Sequence, residues 1–193
     1  MTLDPIIKAL RVRCPTFGTR VAGAAQWAGL TEDESPPLPA AYVVPLREDA
    51  GSMDDAVGYY QVVTNTFGVI LLVSNFADER GQDASRWIEL LKPEVFKAIL
   101  SWTMKPRDEH GPIIFEGGSL IYMDDARAAY QLEFSFETYL DTSDTYQEVE
   151  LNALPEFEGA DIDVDCIDPS TTQGKPDGIL EGHIEVNTYE REF

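Results

Sequence analysis

Residues 126–140, ARAAYQLEFSFETYL, alternate between apolar and polar side chains along their whole length. One set of alternate positions is almost entirely apolar: Ala128, Tyr130, Leu132, Phe134, Phe136, Thr138 and Leu140. The other set is mostly polar: Ala129, Gln131, Glu133, Ser135, Glu137 and Tyr139. Because successive side chains of a strand point to opposite faces, this pattern predicts a long strand with one packed face. We expect the packed face to meet a helical region between Trp87 and Trp102, and the other face to meet water or a partner.

Three helices are predicted before this strand. Residues 4–13 place Asp4 at an N-cap and Pro5 in the first turn, ahead of an apolar stripe. Residues 22–28 predict a short second helix. Residues 85–102 have apolar side chains near helical spacing, namely Trp87, Leu90, Leu91, Val95, Ile99 and Trp102. Pro93 removes a backbone donor inside this segment, so we expect a kink or two shorter helices.

Two strands are predicted between the second and third helices. Residues 41–47, AYVVPLR, form the first, and Pro45 within it cannot donate a ladder hydrogen bond. That proline predicts an edge position or a bulge. Residues 61–75 form the second strand, whose later half is apolar on both faces. We therefore expect this strand at the centre of the sheet.

Residues 113–115 and 120–123 are also strand-like, and they flank Gly117-Gly118. The two glycines predict either a tight turn or a bulge. Together the elements follow the order α-β-β-α-β-β, with the short second helix as an addition. This order predicts an α+β fold with a mainly antiparallel sheet of about four strands and helices packed on one face.

The polar positions carry a large and uneven excess of acids. The 193-residue chain has 35 acidic and 14 basic side chains and a net charge of −21. Residues 1–140 hold 20 acids and 12 bases, whereas residues 141–193 hold 15 acids and 2 bases. We therefore predict a domain at 1–140 and an acidic C-terminal extension at 141–193, with short strands at 149–154, 162–167 or 179–188. Because phosphate contacts need Lys and Arg, the charge argues against a nucleic-acid or anionic-membrane binder.

The sequence DIDVD at residues 161–165 has acids at the first, third and fifth positions of a calcium loop. Such a loop requires Gly at its sixth position and Glu at its twelfth, where this chain has Cys166 and Thr172. We therefore interpret the segment as a strand with Ile162 and Val164 inward and the acids outward.

Other chemistry-bearing residues lack the spacing of a catalytic or metal site. Asp124-Asp125 lie at a strand entry, where a turn is the favoured interpretation over a carboxylate pair. His110 and His183 have no ligand spacing and are expected at the surface or rim. We predict that the protein is not an enzyme, and we assign no catalytic, cofactor-binding or metal-ligating residue.

The sequence favours structural roles for the aromatic and cysteine residues. Trp87, Trp102, Phe96 and Phe134 could line a ligand pocket, but their helical and strand spacing favours core packing. Cys14 and Cys166 are far apart and form no CxxC, so two reduced thiols are favoured, with one disulfide left open. The segment MTLDPIIKALRVR lacks a basic-then-apolar run, so we expect no signal peptide.

Five strings resemble one protein family when they are taken together and in order. They are MTLDPIIKALR at the N-terminus, AAYVVPLRE (40–48), VTNTFGVILLVSNFADERG (63–81), ELLKPEVFKAILSW (89–102) and IIFEGGSLIYMDDARAAYQLEFSFETYL (113–140). In this combination the chain resembles the tail terminator proteins of long-tailed bacteriophages over about residues 1–140. The acidic extension after residue 140 departs from that pattern.

The resemblance implies a structural virion protein whose partners are other copies of itself, the tail tube protein and the head–tail connector or neck protein. It implies a hexameric ring that caps the head-proximal end of the tail tube, stops tube polymerisation and docks to the connector. It further implies assembly in the host cytoplasm, no cofactor, no membrane, and genomic DNA passing through the ring without specific binding.

Two alternatives stay open at this point. One is a neck or head-completion protein of the same particle. The other is an acidic binding or inhibitory module that captures a basic partner. If the chain forms a ring, we expect free strand edges to join its subunits, with the Pro45-bearing strand and the extension as candidates.

Overall fold

A computed structural model describes residues 2–30, 36–53, 58–75, 82–105, 110–155, 159–165 and 182–187. The chain divides into two compact units, Met1–Thr145 and Tyr146–Phe193. The first unit contains α1 (Asp4–Arg13), β1 (Val21–Gly23), α2 (Ala24–Ala28), β2 (Ala40–Ala50), β3 (Tyr60–Ser74), α3 (Gln82–Ile99), β4 (Ile114–Met123), β5 (Arg127–Asp141) and a 3-10 turn (Thr142–Asp144). The second unit contains α4 (Tyr146–Asn152), β6 (Gly159–Val164) and β7 (Gly182–Asn187). Among the described helices, none is long and apolar enough to cross a lipid bilayer.

A five-stranded sheet in the order β1-β2-β3-β5-β4 forms the centre of the first unit. β1 runs parallel to β2, and the other neighbours are antiparallel. The predicted α+β class with a mainly antiparallel sheet is confirmed. β1 was not predicted, because its three residues, VAG, are too few to show an alternating pattern.

The predicted long strand is confirmed as β5, which pairs with β3 along its whole length. Its apolar face lies in the main core, where Phe134 is opposite Phe67 with ring centroids 5.5 Å apart. α1 and α3 cover this face of the sheet. The fully buried core side chains from these elements include Ile6, Leu10, Phe67, Leu71, Leu91, Val95, Ile99, Leu132 and Phe134.

The third helix, α3, is continuous through Pro93, so the expected division into two helices is wrong. Leu91 and Val95, on either side of the proline, are both fully buried, and this packing holds the helix in one piece. The expected burial of Trp87 and Leu90 is also wrong, since they are 38% and 63% exposed. The buried stripe instead consists of Ala84, Ile88, Leu91, Val95, Ala98 and Ile99.

The second face of the sheet is apolar near β2 and polar near β5. Tyr42 and Ile70 belong to a small buried cluster there, and the Trp27 ring of α2 lies 5.4 Å from the Tyr42 ring. α2 therefore lies on the face opposite α1 and α3, which departs from the expectation that all helices share one face. Toward β5, the same face carries Gln131, Glu133 and Glu137, as the alternation predicts.

Both predicted strand irregularities are bulges. The register of β2 against β3 shifts between Pro45 and Arg47, and β1 pairs only with residues 41–43 of β2. Gly117 and Gly118 lie inside one continuous strand, β4, whose register shifts at Glu116. The tight-turn alternative at the glycines is therefore wrong, and the bulge alternative is confirmed.

The second unit contains a two-stranded antiparallel sheet formed by β6 and β7, in which Ile162 is opposite Ile184. The DIDVD segment lies in and just after β6, as predicted. Ile162 and Val164 are nevertheless exposed, so the expectation that they point inward is wrong. Residues 149–152 belong to α4, so the expected strand there is wrong. Cys166 and Thr172 lie outside the described residues.

Candidate assembly surface

The edge strand β4 presents an apolar surface to solvent. Among the described strands, only β5 pairs with it, so its other edge has open backbone groups. Six of its side chains are large, apolar and 37–54% exposed: Ile114, Phe115, Leu120, Ile121, Tyr122 and Met123. Edge strands are usually protected by charged side chains or proline. Glu116 is the one charged residue of β4, and it accepts a hydrogen bond from the Ser135 hydroxyl.

Two bulges divide β4 into a short regular segment and two flanks. The register against β5 shifts between Phe115 and Gly117, and again between Leu120 and Tyr122. Between these shifts, residues 117–120 pair regularly with residues 130–133 of β5. The regular part of the open edge is therefore four residues long, and its register against β5 is fixed.

Gly117 and Gly118 lie side by side in this regular segment but have different surroundings. A Cβ on Gly118 would lie 2.8 Å from Cε1 of Tyr130, so the packing of this subunit requires glycine there. A Cβ on Gly117 would meet no atom within 4 Å. The fold of the described residues does not explain Gly117, and glycine within a strand often marks close approach by another backbone.

Aromatic packing anchors β4 to the core. The Phe115 ring lies 4.8 Å from the Phe96 ring of α3 and 5.5 Å from the Phe134 ring of β5. The Lys92 ammonium of α3 lies 4.8 Å from the centre of the Tyr130 ring of β5. Contacts with α3 and β5 therefore hold β4 against the core at Phe115.

Asp124 holds the turn between β4 and β5. Its Oδ1 accepts hydrogen bonds from the backbone amides of Ala126 at 2.8 Å and Arg127 at 2.7 Å. The Tyr122 hydroxyl also donates to this carboxylate, and Arg127 Nε lies 3.6 Å from Oδ2. The hydrogen bond from Tyr122, then the amides and the Arg127 charge, hold the pKa of Asp124 below its ordinary value. This geometry confirms the turn interpretation of Asp124-Asp125.

The two histidines lie in different units. His110 is half-buried, and its ring stacks on the Phe136 ring at 5.5 Å, which agrees with a rim position. His183 lies on β7 with Nδ1 at 2.8 Å from Oδ1 of Asp163, and its side chain is mostly exposed. Among the described residues, no group of three or more His, Cys, Asp or Glu side chains could hold a metal ion.

Cys14 is buried between α1 and α3 and is not in a disulfide. Burial, followed by the charge of Glu94, raises the pKa of its thiol to about 12. Cys14 is therefore a reduced and unreactive thiol, as favoured from the sequence.

A groove of about 580 Å³ lies beside α2 and contains two arginines. Arg11 donates to the Val21 carbonyl at 2.6 and 2.8 Å, and Arg20 donates to the Pro39 and Thr16 carbonyls at 2.8 Å. Arg11 therefore ties α1 to β1, and Arg20 joins the segments around Thr16 and Pro39, so both guanidinium groups serve the fold.

Comparisons with known proteins identify the family. The curated proteins contain no match. Among solved structures, the chain is similar to one from the virion of a native gene transfer agent particle, with a TM-score of 0.41 and 18% identity. That alignment covers 69% of this chain and 90% of the other. The family model for the phage tail terminator protein matches residues 1–145, which include the whole five-stranded sheet and the β4 edge. The chain therefore belongs to the phage tail terminator protein family.

Proposed function

We propose that this protein ends the growth of a phage tail. Six copies form a ring that caps the head-proximal end of the tail tube, prevents further addition of tube subunits and docks to the head connector. The family match over residues 1–145 carries this proposal. Family membership makes the chain a structural protein of a phage virion, and the ring, the cap and the docking are the proposed details.

The β4 edge supports assembly into a ring. A closed ring of identical subunits needs contacts that each copy repeats with its neighbour. An edge strand with six exposed apolar side chains and a single acid is suited to such a contact. The chain as a whole has a net charge of −21, which favours solubility and makes an edge with a single acid a favourable place for association.

The net charge supports passage of DNA without specific binding. At −21 per chain, six copies carry −126 before counterions. Phosphate binding depends on clustered Lys and Arg, and an acidic channel wall repels the DNA backbone instead. We also propose that residues 1–140 are the terminator domain and 141–193 an acidic extension, a division supported by the family match ending at residue 145.

Electron microscopy of tails tests this function. Phage that lack the gene are expected to make tail tubes of excessive and variable length, and purified protein added to growing tubes should restore a fixed length. The ring should be visible at one tube end only. Tubes of normal length in the deletion phage, or density confined to the head portal, would contradict the proposal and favour the neck or head-completion alternative.

A further inference from the structure

The β6–β7 sheet of the second unit is a further apolar surface built from strands in the part of the chain that the structure describes. Its strands are opposite in the pairs Ile162 with Ile184 and Ala160 with Val186, so one face is apolar. Ile162, Val164, Ile184 and Val186 are all 36–53% exposed. The opposite face carries Asp161 across from Glu185 and Asp163 across from His183. The sheet is thus amphipathic, with an uncovered apolar face.

The β6–β7 sheet lacks further strands, and the β4 edge lacks a neighbouring strand, so each could supply what the other lacks. A two-stranded sheet is marginally stable by itself and gains from joining a larger sheet. β4 is the outer strand of a larger sheet and lacks a neighbour among the described residues. The six-residue strands β6 and β7 span about 20 Å, and ten-residue β4 spans about 33 Å, so β4 is longer than either strand. Residues 117–120 offer the regular part of the edge for pairing.

We propose that the β6–β7 sheet of one copy adds to the β4 edge of the next copy, so that the five-stranded sheet continues as seven strands across the subunit boundary. This inference rests on the proposed ring and identifies the contact that closes it. A head-to-tail ring needs two different surfaces on every subunit that fit each other. Strand addition to an open edge is a common form of such a fit.

Charge and backbone geometry favour a second copy as the occupant of the β4 edge. The β6–β7 sheet is acidic on one face, and β4 presents a single acid, Glu116, already engaged by Ser135. The two surfaces therefore meet with little like-charge repulsion. Gly117 also fits this contact, because the space beside it accommodates a backbone that approaches closely.

Substitutions on both surfaces of the full-length chain test the contact. Gly117→Val adds bulk at the open edge, where this subunit leaves space, and Ile184→Asp places a charge on the apolar face of β7. Each variant should lower the fraction of hexamers, measured by mass photometry, at least tenfold. The control Val12→Asp changes a side chain that is 82% exposed on α1 and should leave hexamers unchanged. Undiminished hexamer formation by both Gly117→Val and Ile184→Asp, or loss with Gly117→Val alone, would overturn the inference.

Cross-linking separates direct contact from misfolding of the second unit. Copies with Ser119→Cys on β4 are mixed with copies that have Ile162→Cys on β6 or, separately, Ile184→Cys on β7. All of these copies also have Cys166→Ser, and buried Cys14 stays unreactive. A short bis-maleimide should join the two kinds of copy, and Val12→Cys in place of Ser119→Cys should give no product. Hexamers with neither a β4–β6 nor a β4–β7 product would overturn the inference and leave the proposed function intact. Failure of the wild-type chain to form rings on tail tubes would instead refute the proposed function.

Discussion

At the scale of single residues, Gly117 and Gly118 give a matched pair for testing the packing of β4. Gly118→Ala should lower the free energy of unfolding by about 1–3 kcal/mol, because its Cβ would meet the Tyr130 ring at 2.8 Å and force the ring to move. Gly117→Ala should change it by about 0.5 kcal/mol or less, since nothing lies within 4 Å. Urea unfolding of the two variants measures both values. Equal losses would show that Tyr130 does not set the requirement for glycine.

Asp124 gives a pH-dependent test at the same scale. Its folded-state pKa is below the ordinary value, so its stabilising contribution is present at neutral pH and is lost as pH falls through the lowered pKa. Asp124→Asn should therefore lower the free energy of unfolding at pH 7 by about 1 kcal/mol or less, since the group is partly exposed and screened. The difference from wild type should shrink as the pH falls through this lowered pKa and disappear below it.

The neighbouring acid provides the control for this prediction. Asp125→Asn removes the same charge from an exposed position without the hydrogen bonds of the turn. Chemical unfolding of both variants at several pH values should give a pH-dependent loss for Asp124→Asn alone. The same loss for Asp125→Asn would indicate a general charge effect instead of the Asp124 turn.

At the scale of elements, the adjacent leucines of α3 test the face that the helix buries. Leu91 is fully buried against the sheet, whereas Leu90 is 63% exposed. Leu91→Ala should lower the free energy of unfolding by about 2–5 kcal/mol through lost burial and a cavity. Leu90→Ala should change it by about 0.5 kcal/mol or less. Guanidinium unfolding compares the two, and a large loss for Leu90→Ala would contradict the assigned face.

The elements also show what could be predicted from the sequence. β3 and β5 are long and regular, so their alternation identified them and their packed faces. Spacing alone could not show that Trp87 is exposed. The buried stripe of α3 includes Ala84 and Ile88, and Trp87 lies one position outside it. β4 is apolar on both faces, which removes the alternation and made it look like two short strands. The position of β4 at the sheet edge depends on the order of the strands in the sheet. The periodicity of apolar residues does not reveal that order.

At the scale of the whole molecule, the excess of acids predicts how ring stability responds to salt. Raising the NaCl concentration from about 0.1 M to about 1 M shortens the screening length from about 10 Å to about 3 Å. Repulsion between chains of −21 should then weaken, and the hexamer fraction should rise. Mass photometry across this range measures the trend. Dissociation of hexamers by salt would contradict this prediction and indicate that ion pairs hold the subunits together.

The Asp124 turn has a consequence for the proposed assembly of subunits. An edge strand that frayed in the free subunit would lose conformational entropy on each association, which weakens binding. Here Tyr122, Arg127 and the Asn75 amide, which donates to the Asp124 carbonyl at 2.7 Å, fix the end of β4 in the single chain. The edge is thus preorganised before a neighbour arrives. In the proposed ring, a neighbouring strand would therefore meet an edge that is already ordered, and less conformational entropy would be lost on association.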